Sequence, residues 1–371
     1  MKAIGIIFSN IYDAAMGELT KHRTMASLPF GGRYRQIDFV LSNMVNSNIS
    51  RIGVITKYNY QSLMDHLGTC SEWDLNRKNG GLYILPPFGN GQTTIYRGKL
   101  EALYGAVTFL EKATEDYVVM CDSTVLCNIN FEKVVKAHIQ SHADITVVAN
   151  REKPEISGDK QLLVLKTEGN KVIDLTVNNQ YDESMFCGMG MFVIERKMLL
   201  KEIYDSVAHG LFHFEKDCLQ RQFLAHRLTI NVYPFQQTVL RNRDIPSYFK
   251  NNRLLMYDDI RRDIFRDDAP IYTKVRDEVP TFYGEGSCVK NCLIADGCTV
   301  NGTVENSILF RNVTIEKGAV VKDSIVMQSS YISEGADIYY TILDKNVYIT
   351  PGRTLIGAET TPLIINKEER V

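Results

Sequence analysis

The stretch IIFSNIYDAAMGELTKHRTMASLPFGGRYRQIDF, from Ile6 to Phe39, predicts how the chain begins to fold. Its start completes a β-rich apolar run, Ala3 to Phe8, that is typical of a buried strand. Its end, Pro29 to Arg35, combines two adjacent glycines with two arginines, the residue types that approach and neutralise phosphate. After the strand, however, no glycine occurs before Gly17, although a loop whose amides bind phosphate needs glycine there. One half of a nucleotide site is present and the other half is missing.

Further short apolar runs alternate with helical patterns along the first two thirds of the chain. From Leu100 to Ala113, for example, Leu103, Val107 and Leu110 recur on one face of a predicted helix. Such alternation predicts an α/β domain with a mostly parallel sheet, covered on both faces, that binds its ligand beyond the carboxyl ends of the strands. The other predicted strands are Ile52 to Thr56, Tyr117 to Met120, Ile145 to Val148, Leu162 to Leu165, Met191 to Ile194 and Leu228 to Tyr233.

From about Ser287 the pattern changes to a six-residue rhythm of small, polar and β-branched residues. A hexapeptide period is the signature of a parallel β-helix, in which each coil contributes three short strands. Corner residues follow the same rhythm, as in Glu316 to Gly318 and Glu334 to Ala336. We predict about four coils. One apolar register contains Ile308, Val320, Val326, Ile332 and Ile338, interrupted at Thr314, and a second contains Val313, Ala319, Ile325 and Tyr331.

The composition excludes several classes of function. With 42 basic and 44 acidic residues the net charge is −2, so the chain lacks the basic character of proteins that bind nucleic acid or anionic membranes. Met1 to Phe8 has none of the features of a signal peptide, and no apolar run is long enough to span a membrane. The eight cysteines lack paired Cys-x-x-Cys spacing and are expected to be reduced. We therefore expect a cytoplasmic protein.

Three motifs and the terminal hexapeptide region closely resemble glucose-1-phosphate adenylyltransferase, or ADP-glucose pyrophosphorylase. They are LPFGGRYRQIDFVLSN (Leu28 to Asn43), EWDLNRKNGGLYILPPF (Glu72 to Phe88) and MCDS (Met120 to Ser123). The resemblance spans essentially the whole chain. It implies a Rossmann-like nucleotidyltransferase domain at residues 1–250, a helix and linker at residues 251–285, and a left-handed parallel β-helix at residues 286–371.

The family forms ADP-glucose and pyrophosphate from ATP and glucose 1-phosphate, a reaction that depends on positioning and charge neutralisation. The resemblance therefore implies a glycine-rich turn, basic phosphate ligands and two carboxylates that hold Mg²⁺. In this chain the family turn Gly-Gly-x-Gly-Thr-Arg-Leu corresponds to Asn10 to Met16, with Ala15 in place of the arginine. Met25 and Asn178 stand at two phosphate-binding lysines, and Arg241 stands at the second metal carboxylate. No catalytic set is intact.

Other motif residues are retained. Asp122 matches the family's first metal carboxylate, but alone it gives no confident metal site and is interpreted as vestigial. Gly31, Gly32, Arg33 and Arg35, together with Asp122, are predicted to form a vestigial ligand site. The retained segment around Trp73, Asp74, Arg77 and Lys78 is predicted to lie at a subunit contact or at the mouth of the old site.

The pattern of retained fold and lost chemistry resembles the GlgD-type subunit, a non-catalytic partner of a catalytic homologue in glycogen biosynthesis. That resemblance implies a hetero-oligomer, with a hetero-tetramer expected, in which this chain activates or retunes its partner. It also implies that this chain requires no cofactor and that Mg²⁺ belongs to the partner. A sugar phosphate or nucleotide is the expected effector.

Two other functions remain open. One is an active sugar-phosphate nucleotidyltransferase with an atypical phosphate loop, which predicts turnover by the isolated chain. The other is a hexapeptide acyltransferase, since that class also carries a β-helix. Those enzymes use a histidine base within the coils, whereas no histidine occurs here after His226.

Overall fold

The first part of the chain folds around a nine-stranded β-sheet. The computed structural model describes residues 2–10, 13–87, 96–152, 162–178 and 182–371. In chain order the strands of this part are β1 (Ala3–Phe8), β2 (Pro29–Phe30), β3 (Tyr34–Arg35), β4 (Arg51–Ile55), β5 (Gly81–Leu85), β6 (Tyr117–Asp122), β7 (Val125–Leu126), β8 (Ile145–Asn150), β9 (Leu162–Glu168), β10 (Lys171–Asn178), β11 (Phe186–Glu195), β12 (Ile230–Pro234) and β13 (Leu240–Arg241).

The sheet is mostly parallel, as predicted. Its strand order is β5-β4-β1-β6-β11-β8-β12-β10-β9. The strands β10 and β11 run opposite to the other seven. The short strands β2 and β3 form a separate hairpin, and β7 pairs with β13. All seven strands predicted for this region are present in the nine-stranded sheet, whereas β5, β10 and the short strands β2, β3, β7 and β13 were not predicted.

Helices cover both faces of the sheet. They are α1 (Gln36–Asn46), α2 (Gln61–Leu67), α3 (Lys99–Gly105), α4 (Val107–Glu111), α5 (Phe131–Ser141), α6 (Arg196–Ala208), α7 (Arg221–Leu224), α8 (Ile245–Leu254) and α9 (Asp258–Ile264). Four further segments are irregular helices: the 3₁₀ turns Asp13–Thr20, Met25–Ser27 and Ser71–Trp73, and the π-helix Phe214–Gln220. The helix predicted from Leu100 to Ala113 is two helices: α3 ends at Gly105 and α4 begins at Val107, and Ala106 between them has non-helical dihedral angles (φ −100°, ψ 7°).

Alternation along β1 shows how the two layers form. Ile4, Ile6 and Phe8 pack into a core with α3 and α6, while Ile7 packs into the opposite core with α1 and α5. Successive side chains of a strand point to opposite faces, so one short apolar run supplies both cores. Burying Ile4, Ile6 and Ile7 completely contributes roughly 1.5–3 kcal/mol for each side chain.

The last part of the chain is a left-handed β-helix made of three parallel five-stranded sheets. Five coils are therefore stacked, where the sequence predicted about four. Their strands are β14 (Phe282–Tyr283), β15 (Cys288–Lys290), β16 (Leu293–Ile294), β17 (Thr299–Val300), β18 (Thr303–Glu305), β19 (Ile308–Leu309), β20 (Thr314–Ile315), β21 (Val320–Lys322), β22 (Ile325–Val326), β23 (Tyr331–Ile332), β24 (Asp337–Tyr339), β25 (Thr341–Leu343), β26 (Tyr348–Ile349), β27 (Thr354–Ile356) and β28 (Leu363–Ile365).

Most coils are one residue shorter than three full hexapeptides. Ile308 pairs with Ile325, which pairs with Ile342, so the stacking interval is 17 residues. A strict six-residue register therefore moves out of phase with the coils. Val320, which that register placed in the core, is only half-buried, and Val321 is buried instead. Left-handed corners repeat at the same interval, as at Gly318, Gly335 and Gly352, whose φ values are +70°, +67° and +67°.

The β-helix packs tightly against the first domain. Phe30, Phe39 and Tyr248 share an apolar cluster with Ile308 and Ile325 of the coils. Arg23 and Asp344 join the two parts through a buried bidentate ion pair, with N–O distances of 2.8 and 2.9 Å. A buried pair of this kind costs several kcal/mol when one partner is removed, because the other charge remains buried.

The predicted segment limits differ slightly from the elements. The helix α8 crosses residue 250, and the first coil begins at Phe282, before residue 286. The eight cysteines, all within the described residues, are free thiols. Within the same residues no helix is long and apolar enough to cross a membrane.

Candidate functional site

A cavity of about 500 Å³ lies at the carboxyl ends of three adjacent parallel strands. Phe8, Ile55 and Asp122 end β1, β4 and β6 respectively, and all three line the cavity. In α/β sheets this edge is where ligands bind, since no side-chain layer covers the strand ends. The cavity therefore lies where the sequence predicted the ligand position.

Cationic side chains outnumber carboxylates on the cavity wall. Of the residues described there, only Asp122 and Glu215 carry carboxylates. Leu163, Phe192 and other apolar side chains also line the cavity. This combination suits an anion that carries a less polar group. The basic side chains of the lining are Lys57, Arg97, Lys99, Lys216 and Arg243.

Three charged residues form an ion cluster in this wall, called here the Lys99 cluster: Lys99, Asp122 and Glu215. The Nζ atom of Lys99 lies 3.0 and 3.1 Å from the two carboxylate oxygens of Asp122. It also donates a hydrogen bond to Oε1 of Glu215. The cluster is largely buried, with side-chain exposures of 12%, 7% and 26% in that order. Low exposure makes these contacts stronger than surface ion pairs.

Burial of Asp122 raises the pKa of its carboxyl to about 6, while the Lys99 charge opposes that increase. Glu215 adds to the increase, and Arg243 opposes it. The backbone of Gly190 packs directly on this carboxylate: a Cβ atom there would lie 2.4 Å from Oδ2, and the φ of +68° also favours glycine. Asp122 is thus fixed between Gly190 and Lys99.

The Lys99 cluster does not fit Mg²⁺. Divalent magnesium needs carboxylate or phosphate oxygens and several waters in octahedral geometry. Here an ammonium group already contacts both oxygens of Asp122 and one of Glu215. Among the residues described, no group of three or more His, Cys, Asp or Glu side chains is placed to hold a metal. The interpretation of Asp122 as vestigial is consistent with this geometry.

The segment after β1 is turned into the protein. Ile11 and Tyr12 lie outside the described residues. Asp13 is buried and its Oδ1 accepts a hydrogen bond of 2.8 Å from the backbone N–H of Met25. Burial raises the pKa of Asp13, whereas hydrogen bonds from Asn10 and Met25 oppose that increase. The amide of Met25 is consequently used by a side chain of the protein itself.

Neither Ala15 nor Met25 belongs to the described cavity lining. Ala15 is half-buried in the 3₁₀ segment Asp13–Thr20. Met25 is fully buried with Met16 and Leu28 in the cluster that joins the two domains. The sequence placed Met25 at a phosphate ligand, but its thioether is a core side chain.

Two arginines follow β12, and the one whose charge acts on Asp122 is Arg243, not Arg241. Arg241 donates to the carbonyl of Gly188 at 3.0 Å and to Oδ1 of Asn150, and it does not line the cavity. Asn178 ends β10, and its side chain lies outside the described residues.

Sequence reasoning missed Lys99 and Arg243. Tyr96 to Lys99 places two cations around a glycine just before a predicted helix, and this signal could have indicated Lys99. No such sequence signal distinguishes Arg243 from Arg241, since the two arginines lie two residues apart in the same short segment.

The retained glycines and arginines lie elsewhere in the molecule. Gly31 and Gly32 form the tight turn of the β2–β3 hairpin, with φ values of +61° and +83°. Arg33 and Arg35 follow this turn and line a depression together with residues of the β-helix. The predicted single ligand site, which grouped these four residues with Asp122, is therefore wrong: Asp122 lines the cavity, and the hairpin lines a second depression.

This second depression, called here the basic cleft, lies between the hairpin and the coils. Its other described lining residues are Pro29, Gly32, Tyr34, His66, Phe310 and Gln328. No carboxylate is among the described lining residues. Its cations come from both parts of the chain and are Arg33, Arg35, Lys274, Arg276, Arg311 and Lys345.

Positive charge in the basic cleft is poorly compensated. Arg311 is 7% exposed, and its Nε and Nη2 atoms have no hydrogen-bond partner within the described part of the chain. Burial lowers the pKa of Arg35 to about 10, although Asp38 opposes the decrease. Burial, together with Arg35 and Arg23, lowers the pKa of Lys345 to about 6. A bound polyanion would satisfy these groups.

Trp73, which was predicted to lie at a subunit contact or at the mouth of the old site, is buried, with an exposure of 1%, and is not among the described residues that line the cavity. Its indole donates to Oγ of Ser42 at 3.3 Å and lies edge-on to His66, with 6.0 Å between ring centres. His66 in turn contacts Asp38 at 2.5 Å and lines the basic cleft. Asp74, Arg77 and Lys78 are exposed, and Asp74 pairs with Arg77.

Comparison with known proteins agrees with this architecture. A nucleotidyl transferase family model matches residues 16–228, and a GlmU-like C-terminal hexapeptide model matches residues 279–362. The fold and cavity thus define a nucleotidyltransferase-type domain followed by a hexapeptide β-helix.

Individual relatives narrow the class. The chain is 34% identical to the glycogen biosynthesis protein GlgD of Geobacillus stearothermophilus, over 86% of this chain and 83% of that protein. It is 32% identical to GlgD of Bacillus subtilis (strain 168), over 86% and 82%. Glucose-1-phosphate adenylyltransferase of Clostridium botulinum (strain Eklund 17B / Type B) is 30% identical over 86% and 83%. The chain belongs to the GlgD and glucose-1-phosphate adenylyltransferase family.

Proposed function

We propose that this chain is a non-catalytic, regulatory subunit of a glucose-1-phosphate adenylyltransferase in glycogen biosynthesis. It assembles with a catalytic homologue, as a hetero-tetramer in the cytoplasm, and activates or retunes that partner. Family membership and the two GlgD relatives support the pathway. The chain itself requires no cofactor, and Mg²⁺ acts in the partner.

The Lys99 cluster is the observation that carries the non-catalytic role. Nucleotidyl transfer needs a metal to neutralise the charge that develops on the phosphates. The one retained metal carboxylate, Asp122, instead has the Lys99 ammonium 3.0 and 3.1 Å from its two oxygens. The turn after β1 also uses the Met25 amide internally, through Asp13. Losses of groups that act together are not compensated by those that remain.

The alternative, an active nucleotidyltransferase with an atypical loop, is favoured by one observation. The cavity keeps a volume of about 500 Å³ and five cationic side chains. Ligand binding alone would need no more than this. Turnover by the isolated chain separates the two functions.

The basic cleft supports the regulatory part of the proposal. Its six basic side chains come from the first domain, the connecting segment and the coils. Arg311 offers unpaired, buried donors. A phosphate-bearing effector, either a sugar phosphate or a nucleotide, would cross-link the two parts of the molecule there. Tightening of that junction is how effector binding would reach the partner.

The central experiment compares three preparations: the isolated chain, the catalytic homologue of the same organism, and their mixture. Sedimentation velocity should show a hetero-oligomer, and pyrophosphate release from ATP, Mg²⁺ and glucose 1-phosphate should occur only where the homologue is present. The mixture should differ from the homologue alone in maximal rate or effector response. Steady turnover by the isolated chain, or two species that never associate, contradicts the proposal.

The effector site has its own test, with sulfate as the probe. Arg311→Ala should weaken sulfate binding about tenfold or more, since it removes a charge-assisted contact. Arg262→Ala is the matched control, because the Arg262 side chain is 80% exposed and lies outside the basic cleft. Equal sulfate affinity in both variants would place the effector elsewhere.

A further inference from the structure

We propose that the Lys99 ammonium is the built-in cation of the cavity, and that the cavity binds a phosphate-bearing ligand in its metal-free form. The ligand class is a nucleoside diphosphate or a compound of similar size and charge. This inference rests on the geometry of the Lys99 cluster, and it stands whether or not the chain regulates a partner.

The backbone fixes Lys99 at this position. Gly98 precedes α3, and a Cβ atom on it would lie 2.2 Å from the carbonyl oxygen of Phe212. The N–H of Leu100 donates to the same oxygen at 3.0 Å. The start of α3 is therefore held against the segment that carries Glu215. Lys99 and Glu215 meet because of this close approach.

The surroundings of the ammonium group resemble those of a bound cation. Besides the two carboxylates, Nζ lies over the rings of Phe8 and Phe192, 5.5 Å from each ring centre. Aromatic faces stabilise ammonium groups, whereas Mg²⁺ keeps a shell of waters that such rings exclude. The cage of carboxylates and rings consequently selects Lys99 over a hydrated metal.

The remaining charges favour an anion. Lys99 neutralises one of the two carboxylates, and Arg243 also acts on Asp122. Arg97 is paired with Glu101 outside this cluster. Lys216 adds positive charge to the lining, and so does Lys57, on which the carboxylates of Asp13 and Glu101 act. Because positive charge exceeds negative charge in the lining, protein cations can contact the phosphate oxygens. No metal ion is then needed to reduce the repulsion between phosphate and the two carboxylates.

The size and apolar wall of the cavity indicate more than inorganic phosphate. A volume of about 500 Å³ falls within the range of small-molecule sites. Ile55, Leu163 and Val177 provide apolar surface beside the cations. A diphosphate attached to a nucleoside matches this division into a charged part and a less polar part. ADP is the simplest probe.

Calorimetric titration of ADP into the full chain is the first test. The dissociation constant in EDTA should equal that in millimolar Mg²⁺ or be smaller, because Mg²⁺ sequesters the free anion. A site that required metal would bind ADP at least about tenfold more weakly in EDTA. That result, or the absence of ADP binding in both buffers, overturns the proposal.

Manganese titration followed by electron paramagnetic resonance tests Lys99 directly. The wild-type chain should bind no Mn²⁺ in the cavity, and Lys99→Ala should gain a Mn²⁺ site that uses Asp122 and Glu215. Lys57→Ala is the matched control, since Lys57 lines the same cavity and no contact between it and Asp122 is observed. Lys99→Ala combined with Glu215→Gln should lose the gained site.

Two results of the manganese experiment count against the proposal. One is Mn²⁺ binding by the wild-type chain that disappears in Asp122→Asn. The other is a folded Lys99→Ala variant, verified by its unfolding transition, that binds no more Mn²⁺ than the control. Lys99→Met, which keeps the apolar stem of the side chain, should retain the fold if Lys99→Ala does not.

Discussion

Two half-buried lysines have contrasting surroundings. Lys99 contacts the carboxylates of Asp122 and Glu215, and its charge is part of the local structure. Lys345 lies beside Arg35 and Arg23, and its sequence neighbour Asp344 is already bound by Arg23. The first lysine completes an ion cluster, whereas the second is held where its charge is unfavourable. Such unfavourable charge is typical of a site that is stabilised by a ligand.

Lys345→Met should raise the free energy of unfolding at neutral pH. Since the pKa of Lys345 falls from 10.5 to about 6 on folding, the unfolded chain binds an extra proton between those pH values. The destabilisation of the folded state by Lys345 is therefore absent above pH 10.5 and reaches its full value below pH 6. We expect a gain on the order of 1–3 kcal/mol at pH 7, discounted for residual solvent contact, that disappears near pH 10.5.

Denaturant titrations at pH 6, 8 and 10 measure that gain. Lys317→Met is the matched control, because Lys317 is exposed at a corner of the same β-helix. A gain that stays constant across this pH range would mean that Lys345 remains charged when folded.

At the scale of elements, the β-helix depends on corners that repeat with the coil. Gly318, Gly335 and Gly352 all adopt positive φ, and they stack on one another at 17-residue intervals. Around Gly335 the space is open, the nearest contact of an added Cβ being 4.0 Å away. Glycine is needed at this corner for its backbone conformation and not for lack of room.

Gly335→Ala should lower the free energy of unfolding by about 1 kcal/mol, the cost of a left-handed conformation for a residue with a Cβ atom. The exposed neighbour Glu334→Ala should change stability by less than about 0.5 kcal/mol. Thermal unfolding of both variants measures the difference. Equal stability would show that the corner relaxes to another conformation.

The basic cleft joins the β2–β3 hairpin to the coils, and its anion affinity should depend on pH. A bound dianion raises the pKa of Lys345 from about 6, so that binding takes up a proton above that pH. Sulfate does not titrate in this range. Its association constant should fall by up to about tenfold per pH unit above pH 6, and less in Lys345→Met. A pH-independent constant would contradict this linkage.

Across the whole molecule, the residues that replace the family's catalytic groups lie in different places. Met25 is in the core, Arg241 supports Gly188 and Asn150, and Lys99 occupies the carboxylate of Asp122. No single substitution changes all three. The fold that carries them is nevertheless complete, with a tightly packed junction between its two parts.

Arg241→Asp should therefore leave the isolated chain without turnover. The new carboxylate would lose the contacts of Arg241 while Lys99 still neutralised Asp122. Groups that act as a unit show almost no activity until all are present. Pyrophosphate release, measured beside the catalytic homologue as a positive control, checks this expectation. Efficient turnover by this single variant would refute it.

The architecture was predictable because its signals are periodic. Buried strands such as Ala3–Phe8 and the six-residue rhythm of the coils report directly on two regular structures. The 17-residue coil was missed because one deleted residue shifts the register without removing its apolar character. Likewise β10 was missed because Asp174 and Thr176 interrupt its apolar residues, whereas the apolar run of β5 was interpreted only as part of the motif Glu72 to Phe88.

The site was less predictable, since it depends on where side chains point. Alignment of motifs identified Asp122, but Lys99 reaches it from a different helix. The Pro29 to Arg35 segment was recognised as anion-binding in type, yet only the folded chain shows that it faces the coils. Contacts between distant segments carry no local sequence signal.

The position of Trp73 gives the protein a natural optical probe. Trp73 is the only tryptophan in the chain, so all indole emission comes from one buried ring. That ring lies 6.0 Å from His66, which lines the basic cleft, and it is shielded from the outer surface. The intensity of its emission should consequently change when anions enter the basic cleft. Docking of a tryptophan-free partner elsewhere on the surface should leave that intensity unchanged.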